Sequence, residues 1–493
     1  MTSASAEQQP EQSGGGLRRE LNFWEAIALS IAIMAPTAAM ALNGVGISGL
    51  IGRAVPLAFI FATVGVIFVS YAFVQLSRHF SSAGSVYAFS GVTLGPQAGF
   101  FAGWALFGTY LAFTAASTAE AGLFGVDFFK GSGIWDGAEW VVIALVAGAL
   151  IAFFAYNDVR KVTRALLTIE GISVTLIVIL VIVIFAKLLF GSAPQNQGFT
   201  ADIFKLPSGT SFDTVATAAV FGFLSFAGFE GAAALGEETN NPKRNISRAI
   251  MFAVLVSGAF YIVVIISQTL GYGTDAAGVK AFSSSAGPFS DLSKEYVGGL
   301  LRDLINLGAT VSAFASGLGT ALAGSRILFA LSRDGFETSP LGKASKRTGA
   351  PAGALAVVMT VALTAMVIQR IIGTSAVNAF FYPGTIGVLS LLVAYMVTNL
   401  GAVKFLWVDG RRAPLWQIVI PLIGMTFLGY TIYKQVSGQA FPYNHFPYVV
   451  LAWLVVGLVV VLAAPGLARR LGEGLARREG LSADAQAAPE AVT

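Results

Sequence analysis

Phe221-Gly222-Phe223-Leu224-Ser225-Phe226-Ala227-Gly228-Phe229-Glu230-Gly231 sets two glycines and a carboxylate in the middle of a long apolar run. Glycine is costly in a helix interior because it gives up the most backbone freedom on ordering. An Asp at mid-membrane costs about 2.5–3.5 kcal/mol on insertion scales, and a Glu is comparable. A span that carries both features predicts a broken helix with its carboxylate turned toward protein or water.

The rest of the chain makes that run a membrane span. Of 493 residues, 55% are hydrophobic and only 11% are charged, against about 25% charged in soluble domains. Charge is confined to short intervals between apolar stretches long enough to cross the hydrocarbon core as helices. Twelve such stretches lie near 24–50, 54–76, 97–125, 139–156, 165–190, 213–237, 247–271, 300–331, 351–371, 378–400, 414–434 and 447–465. A β-barrel would show short alternating segments instead. Residues 1–20 and 472–493 have the composition of disordered tails. With the N-terminus in the cytoplasm, 21 of the 30 Lys and Arg fall on the inner side. That excess, with an even span count, predicts both termini inside. Net charge is +4 and cysteine is absent. Nothing here points to nucleic acid, and thiol chemistry is excluded.

The first span holds a second interruption, Ser30-Ile31-Ala32-Ile33-Met34-Ala35-Pro36-Thr37-Ala38-Ala39. Pro36 has no N–H, and its ring clashes with the carbonyl four residues back. The freed carbonyls near Ala32 and Ile33 need another partner, which the membrane interior supplies only from protein or a wet cavity. Taken alone, this is an ordinary proline kink. Interruptions in spans one and six, at matching positions of two five-span halves, predict an inverted-repeat transporter with its substrate site at the breaks. The expected fold is all-α and integral to the membrane. It has twelve transmembrane helices, with discontinuous helices one and six at matching positions of two five-helix halves. The halves cover residues 21–190 and 191–400, two further helices 401–467, and a cytoplasmic tail 468–493. The later part of the outer segment 272–299, Phe289 to Leu304, alternates at helical spacing and fits either a surface helix capping the outer mouth or an ordinary loop helix.

Gly228-Phe229-Glu230, continuing through Glu237-Glu238-Thr239-Asn240-Asn241-Pro242-Lys243-Arg244-Asn245-Ile246-Ser247-Arg248-Ala249-Ile250, resembles the signature between helices six and seven of the amino acid–polyamine–organocation transporters. Ser82-Ala83-Gly84-Ser85-Val86-Tyr87, with Gly95-Pro96 and Gly103-Trp104, resembles that family's segment between helices two and three. Ser325-Arg326 with Arg333-Asp334-Gly335 resembles its end of helix eight. The resemblance implies a 5+5 inverted repeat of ten core helices plus two peripheral helices, with alternating access around a central site in the plasma membrane. Many members hold a substrate carboxylate with backbone amides of a Gly-Ser-Gly-type stretch at the first break. Here that place is taken by Ala35-Pro36-Thr37, which has one donor fewer. Ser247 stands where Pro is common.

The expected substrate site is formed by Ala35, Pro36, Thr37 and Ala38 with Ser225, Phe226, Gly228 and Phe229. Its expected occupant is a small apolar or aromatic amino acid. A polyamine or other organocation is the alternative, with Glu230 as the counter-charge. Glu170 is the only carboxylate of the fifth span and lies about 9 Å from its cytoplasmic end at 1.5 Å per residue. It either reaches the interface, pairing with Arg164 or Arg160, or faces the protein. Some proton-coupled relatives place an ionisable group, often Lys, in this region beside helices one and eight. Glu170 and then Glu230 are therefore the proton-coupling candidates. A sodium site built from Thr310, Ser312 and Ser316 with first-span carbonyls is the alternative. Glu237 and Glu238, near Lys243, Arg244, Arg248, Arg78 and Arg160, are the inner-gate candidates.

Other motifs carry less. Gly44-Val45-Gly46-Ile47-Ser48-Gly49 matches a dinucleotide pattern but follows a membrane helix rather than a strand. Asn245-Ile246-Ser247 fits a glycosylation acceptor on the wrong side of the membrane. His79 and His445 have no neighbours at metal-ligand spacing. No cofactor is expected. A channel would need a repeated selectivity element and an enzyme a nucleophile–base or metal constellation; the sequence offers neither. The partners expected are a small amino acid or amine, a coupling proton and the lipid bilayer.

Overall fold

The computed structural model describes residues 22–80, 85–157, 159–235, 239–335, 339–410, 412–437 and 439–478. These residues are almost entirely helical. In chain order the helices are α1 Phe23–Met34, α2 Pro36–Ile51, α3 Val55–His79, α4 Ser85–Leu94, α5 Pro96–Gly131, α6 Trp140–Tyr156, α7 Val159–Leu189, α8 Phe212–Phe226, α9 Pro242–Tyr272, α10 Ala276–Ser284, α11 Pro288–Tyr296, α12 Gly299–Gly335, α13 Ala352–Ile371, α14 Ala376–Val403, α15 Val419–Val436, α16 Phe446–Ala463 and α17 Pro465–Arg478. The chain is a multi-pass membrane protein. Among the described residues ten helices are long and apolar enough to cross a bilayer. One of the ten is the continuous stretch Ser30–His79, from the end of α1 through α3, and the 17-residue α6 is a shorter apolar helix beside them.

The centre of the molecule is α5. It packs along α12 on one side and α14 on the other. α3 pairs with α9, and α2 with α8. α15 and α16 are the least enclosed of the long helices; α15 lies on α3 and α14, and α16 on α5 and α14. The mounting of α16 is specific. The rings of Trp104 and Trp453 stack with centroids 4.4 Å apart. Each indole N–H donates to the other residue's carbonyl, at 2.8 and 3.1 Å. Indole N–H groups buried in an apolar span need such acceptors.

Two segments differ from the sequence reading. The outer segment forms two short helices, α10 and α11, and the second ends at Tyr296. Leu300 to Leu304 belong to the start of α12, after a turn at Gly298 with φ 145°. The outer pair is tied down by Asp291, which accepts from Tyr272 Oη at 2.8 Å and Ser285 Oγ at 2.6 Å. At the other end, residues 472–478, read from composition as the start of a disordered tail, belong to helix α17, Pro465–Arg478. Leu467 and Leu471 of α17 are buried, because its apolar side folds back onto α4, α5 and α12.

Candidate functional site

Both interruptions read from the sequence are present, and they meet. α1 ends at Met34, Ala35 takes the left-handed conformation with φ 43° and ψ 67°, and Pro36 begins α2. A non-glycine residue held there costs roughly 1–2 kcal/mol, so surrounding contacts must fix it. α8 ends at Phe226. Gly228 follows at φ 98°, and the chain runs on as a tight 3-10 turn from Phe229 to Leu235. A side chain at Gly228 would collide with Ile33 of α1. The close crossing of the two broken helices therefore requires glycine for space as well as for φ.

The polar groups freed by the breaks are satisfied by other helices. The Ile33 carbonyl accepts from Ser316 Oγ of α12 at 3.0 Å, and Ser316 Oγ accepts in turn from Ser117 Oγ of α5 at 3.0 Å. At the start of α2, Thr37 N–H donates to Glu170 Oε1 of α7 at 2.9 Å, and Ala38 N–H donates to Ser312 Oγ at 3.2 Å. An anionic acceptor at a helix N-terminus is favoured both by the unpaired amides and by the helix dipole. Ser30 joins α1 to the turn after α8: its Oγ donates to Phe229 O and accepts from Ala232 N–H, both at 2.9 Å.

A small cavity of about 40 Å³ lies at the breaks. Ala35, Ala38 and Asn43 line it from the first interrupted helix, and Leu224 and Ala227 from the second. Ser117 and Glu120 of α5 and Ser316 of α12 complete its polar lining. Of the residues expected from sequence, Ala35 and Ala38 border this space. Pro36 and Thr37 sit beside it within the helix start. Ser225 is reached from the cavity through Asn43, whose Nδ2 donates to Ser225 Oγ at 2.7 Å. Phe226 instead packs edge-on against Tyr261, and Phe229 packs against Phe73 and Tyr395. Gly228 serves the crossing with Ile33.

The three acidic residues of this region sit in different surroundings. Glu170 is buried and faces α2, so the alternative in which it reaches the interface is set aside. Glu230 is fully buried below the second break. Its Oε1 accepts from Tyr110 Oη at 2.9 Å, and its Oε2 accepts from Tyr395 Oη. It is not among the residues lining the cavity. Glu120 was missed by the sequence reading, although a carboxylate inside the apolar run of the third span is the kind of signal that drew attention to Glu230. It is 3% exposed, it borders the cavity, and its Oε1 has no hydrogen-bond partner.

Of the sodium-site candidates, Ser312 and Ser316 converge on the break, while Thr310 Oγ1 donates to Asn306 O within its own helix. The inner-gate candidates Glu237 and Glu238 lie outside the described residues.

Comparison with known proteins agrees with this architecture. The family model described as "Amino acid permease" matches residues 25–463. The chain is 25% identical over 406 residues to the low-affinity putrescine importer PlaP of Escherichia coli (strain K12), a match covering 82% of this chain and 84% of that one. It is 28% identical over 356 residues to the branched-chain amino acid permease BcaP of Bacillus subtilis (strain 168), covering 68% and 71%. It is 25% identical over 471 residues to BcaP of Lactococcus lactis subsp. cremoris (strain MG1363), covering 89% and 92%.

Proposed function

Because the chain belongs to the amino acid permease family, a family of transporters rather than enzymes, we propose that it carries amino acids or related amines across the plasma membrane by alternating access. The observation that carries this reading is the meeting of the two helix breaks. Ala35 and Gly228 both have positive φ at the breaks, and a cavity lined by Ala35 and Ala227 lies beside them. Irregular backbone at membrane depth is tolerated where it lines such a space.

In this reading the chain crosses the bilayer twelve times. Ser30–His79 contributes two crossings separated by the turn at Gly52, where φ is 57°, and α6 contributes one. Residues 21–190 and 191–400 form two inverted repeats, 401–467 a peripheral pair, and both termini are cytoplasmic. The 21-to-nine division of Lys and Arg supports that orientation.

Transport is coupled to protons, with Glu170 as the carrier. Glu170 links α7 to the first break, so a change in its charge acts directly on the helix start that borders the cavity. Ala35, Pro36, Thr37, Ala38, Ser225 and Gly228 position substrate through backbone and close packing, while Phe226 and Phe229 brace the second break from behind.

Counterflow in proteoliposomes tests the reading. Labelled amino acid or amine should accumulate unchanged against an unlabelled internal pool. Unitary currents in a planar bilayer, or chemical conversion of the solute, would overturn it.

A further inference from the structure

The hydrogen-bonding inventory of the central cavity is one-sided. Its spare capacity lies in acceptors. Glu120 Oε1 and Asn43 Oδ1 are both buried, both belong to residues lining the cavity, and both lack a partner. The donors are committed. Thr37 N–H is taken by Glu170 and Ala38 N–H by Ser312. The Ser117 hydroxyl hydrogen goes to Ser316, whose own goes to the Ile33 carbonyl. With Glu120 ionised, the second amide hydrogen of Asn43 is the one donor left on the lining side chains.

Charge points the same way. Glu120 is the one ionisable residue among those lining the cavity, and no Lys, Arg or His joins it. A carboxylate withdrawn from water demands a partner, and an ammonium group is the natural one: it is cationic and carries three donors and no acceptor. A substrate carboxylate would bring only acceptors, and another negative charge, to a space already supplied with both. The helix start that could have welcomed it already holds the carboxylate of Glu170. The remaining wall includes the apolar side chains of Phe113, Leu224 and Phe380, which suit a hydrocarbon chain.

From this we infer that Glu120, with Asn43 Oδ1, is the binding group for the ammonium of the transported solute, and that the site selects a primary amine with an apolar chain without requiring a carboxylate. The inference deepens the permease reading and rests on the cavity being the substrate site. It assigns the specificity of that site to a residue on α5, away from both breaks.

Three amino acids with apolar side chains provide the test: leucine, alanine and phenylalanine. Each is set beside the amine left by its decarboxylation and the acid left by its deamination. Binding to the purified full-length protein is measured by calorimetry, and transport by counterflow in proteoliposomes. The amine of at least one set should bind as tightly as its amino acid or tighter, and the acids should not bind. Glu120→Gln should weaken amine binding by about 10- to 100-fold, the range expected for losing one charged hydrogen bond. Glu120→Asp should fall between the two, and both variants should elute as the parent does on size exclusion. Binding of the amino acids with failure of every amine would overturn the inference and leave the permease reading standing. Equal amine affinity in Glu120→Gln would overturn it too, as would binding of any of the acids. Counterflow of none of the amines or amino acids would remove both readings together.

Discussion

Glu170 reaches across 133 positions of sequence to accept the backbone N–H of Thr37 at 2.9 Å. Through this bond a side chain of α7 caps the half-helix that starts at Pro36. A Gln in its place keeps an oxygen for the Thr37 amide and removes the titratable charge. Glu170→Gln is therefore expected to fold, to exchange labelled solute normally, and to lose uptake driven by a pH gradient in sodium-free proteoliposomes. Gradient-driven uptake equal to the parent's, or a strict need for sodium in the parent, would remove the proton role. Glu170→Leu is expected to be worse for a different reason. It strands a buried amide, which costs about 1–3 kcal/mol and would show as a lower unfolding temperature.

Glu230 should behave differently in the same assay. Its two oxygens are held by the hydroxyls of Tyr110 and Tyr395. Glu230→Gln keeps one acceptor and gains donors that Tyr395 can accept, so gradient-driven uptake should persist. Tyr395→Phe leaves a buried oxygen of Glu230 without its donor and should lower stability by about 1–3 kcal/mol. The pair Tyr395→Phe with Glu230→Gln should recover part of that loss, measured as a thermodynamic cycle. Loss of gradient-driven uptake in Glu230→Gln with intact exchange would instead make Glu230 the carrier.

Gly228 is expected to tolerate nothing larger. Gly228→Ala places a methyl group against Ile33 and a Cβ at φ 98°, and transport should fall to background. Ile33→Ala in the same protein removes the collision but not the backbone strain of roughly 1–2 kcal/mol, so activity should return only in part. Gly228→Leu should stay inactive in both backgrounds. Parental transport by Gly228→Leu would show that the two breaks do not form the working site.

Ser316 closes a chain of hydroxyls from Ser117 to the Ile33 carbonyl. Ser316→Ala leaves that carbonyl unpaired at membrane depth. A net loss of about 1 kcal/mol in stability is expected, with a matching fall in solute affinity because Ile33 also lines the cavity. Thr310→Ala, whose hydroxyl bonds only within α12, should be near neutral. If Thr310→Ala abolished transport as fully as Ser316→Ala, the division between the two hydroxyls would be wrong.

Much of this architecture was legible. Pro36 and the glycines around Glu230 announce two broken helices because each violates a local rule for helix interiors. The run lengths announce the spans. The satisfaction of the Ile33 carbonyl also follows from Pro36, though not the identity of Ser316 as its donor. What was not legible is rotation. A sequence shows that Glu120, Glu170 and Glu230 lie inside apolar runs, but not which face of each helix turns to the cavity. The three carboxylates end up in three settings: one bare beside the cavity, one capping a half-helix, one between tyrosines. Phe226 and Phe229 illustrate the same limit, since a break exposes backbone on one side and packs its aromatic neighbours on the other. The length of α11 was misjudged because the pattern of Phe289 to Leu304 continues smoothly into α12, and only the turn at Gly298 divides them.

The hydroxyl of Ser30 has a consequence for how the protein responds to its medium. It joins α1 to the turn beyond Gly228 by giving one hydrogen bond and taking another, and neither partner is an ion. Dissolved electrolyte screens ion pairs over roughly 8–10 Å at 0.1–0.15 M, but it has little hold on a buried hydroxyl between two peptide groups. The link that Ser30 makes between α1 and the turn beyond Gly228 is therefore insensitive to ionic strength.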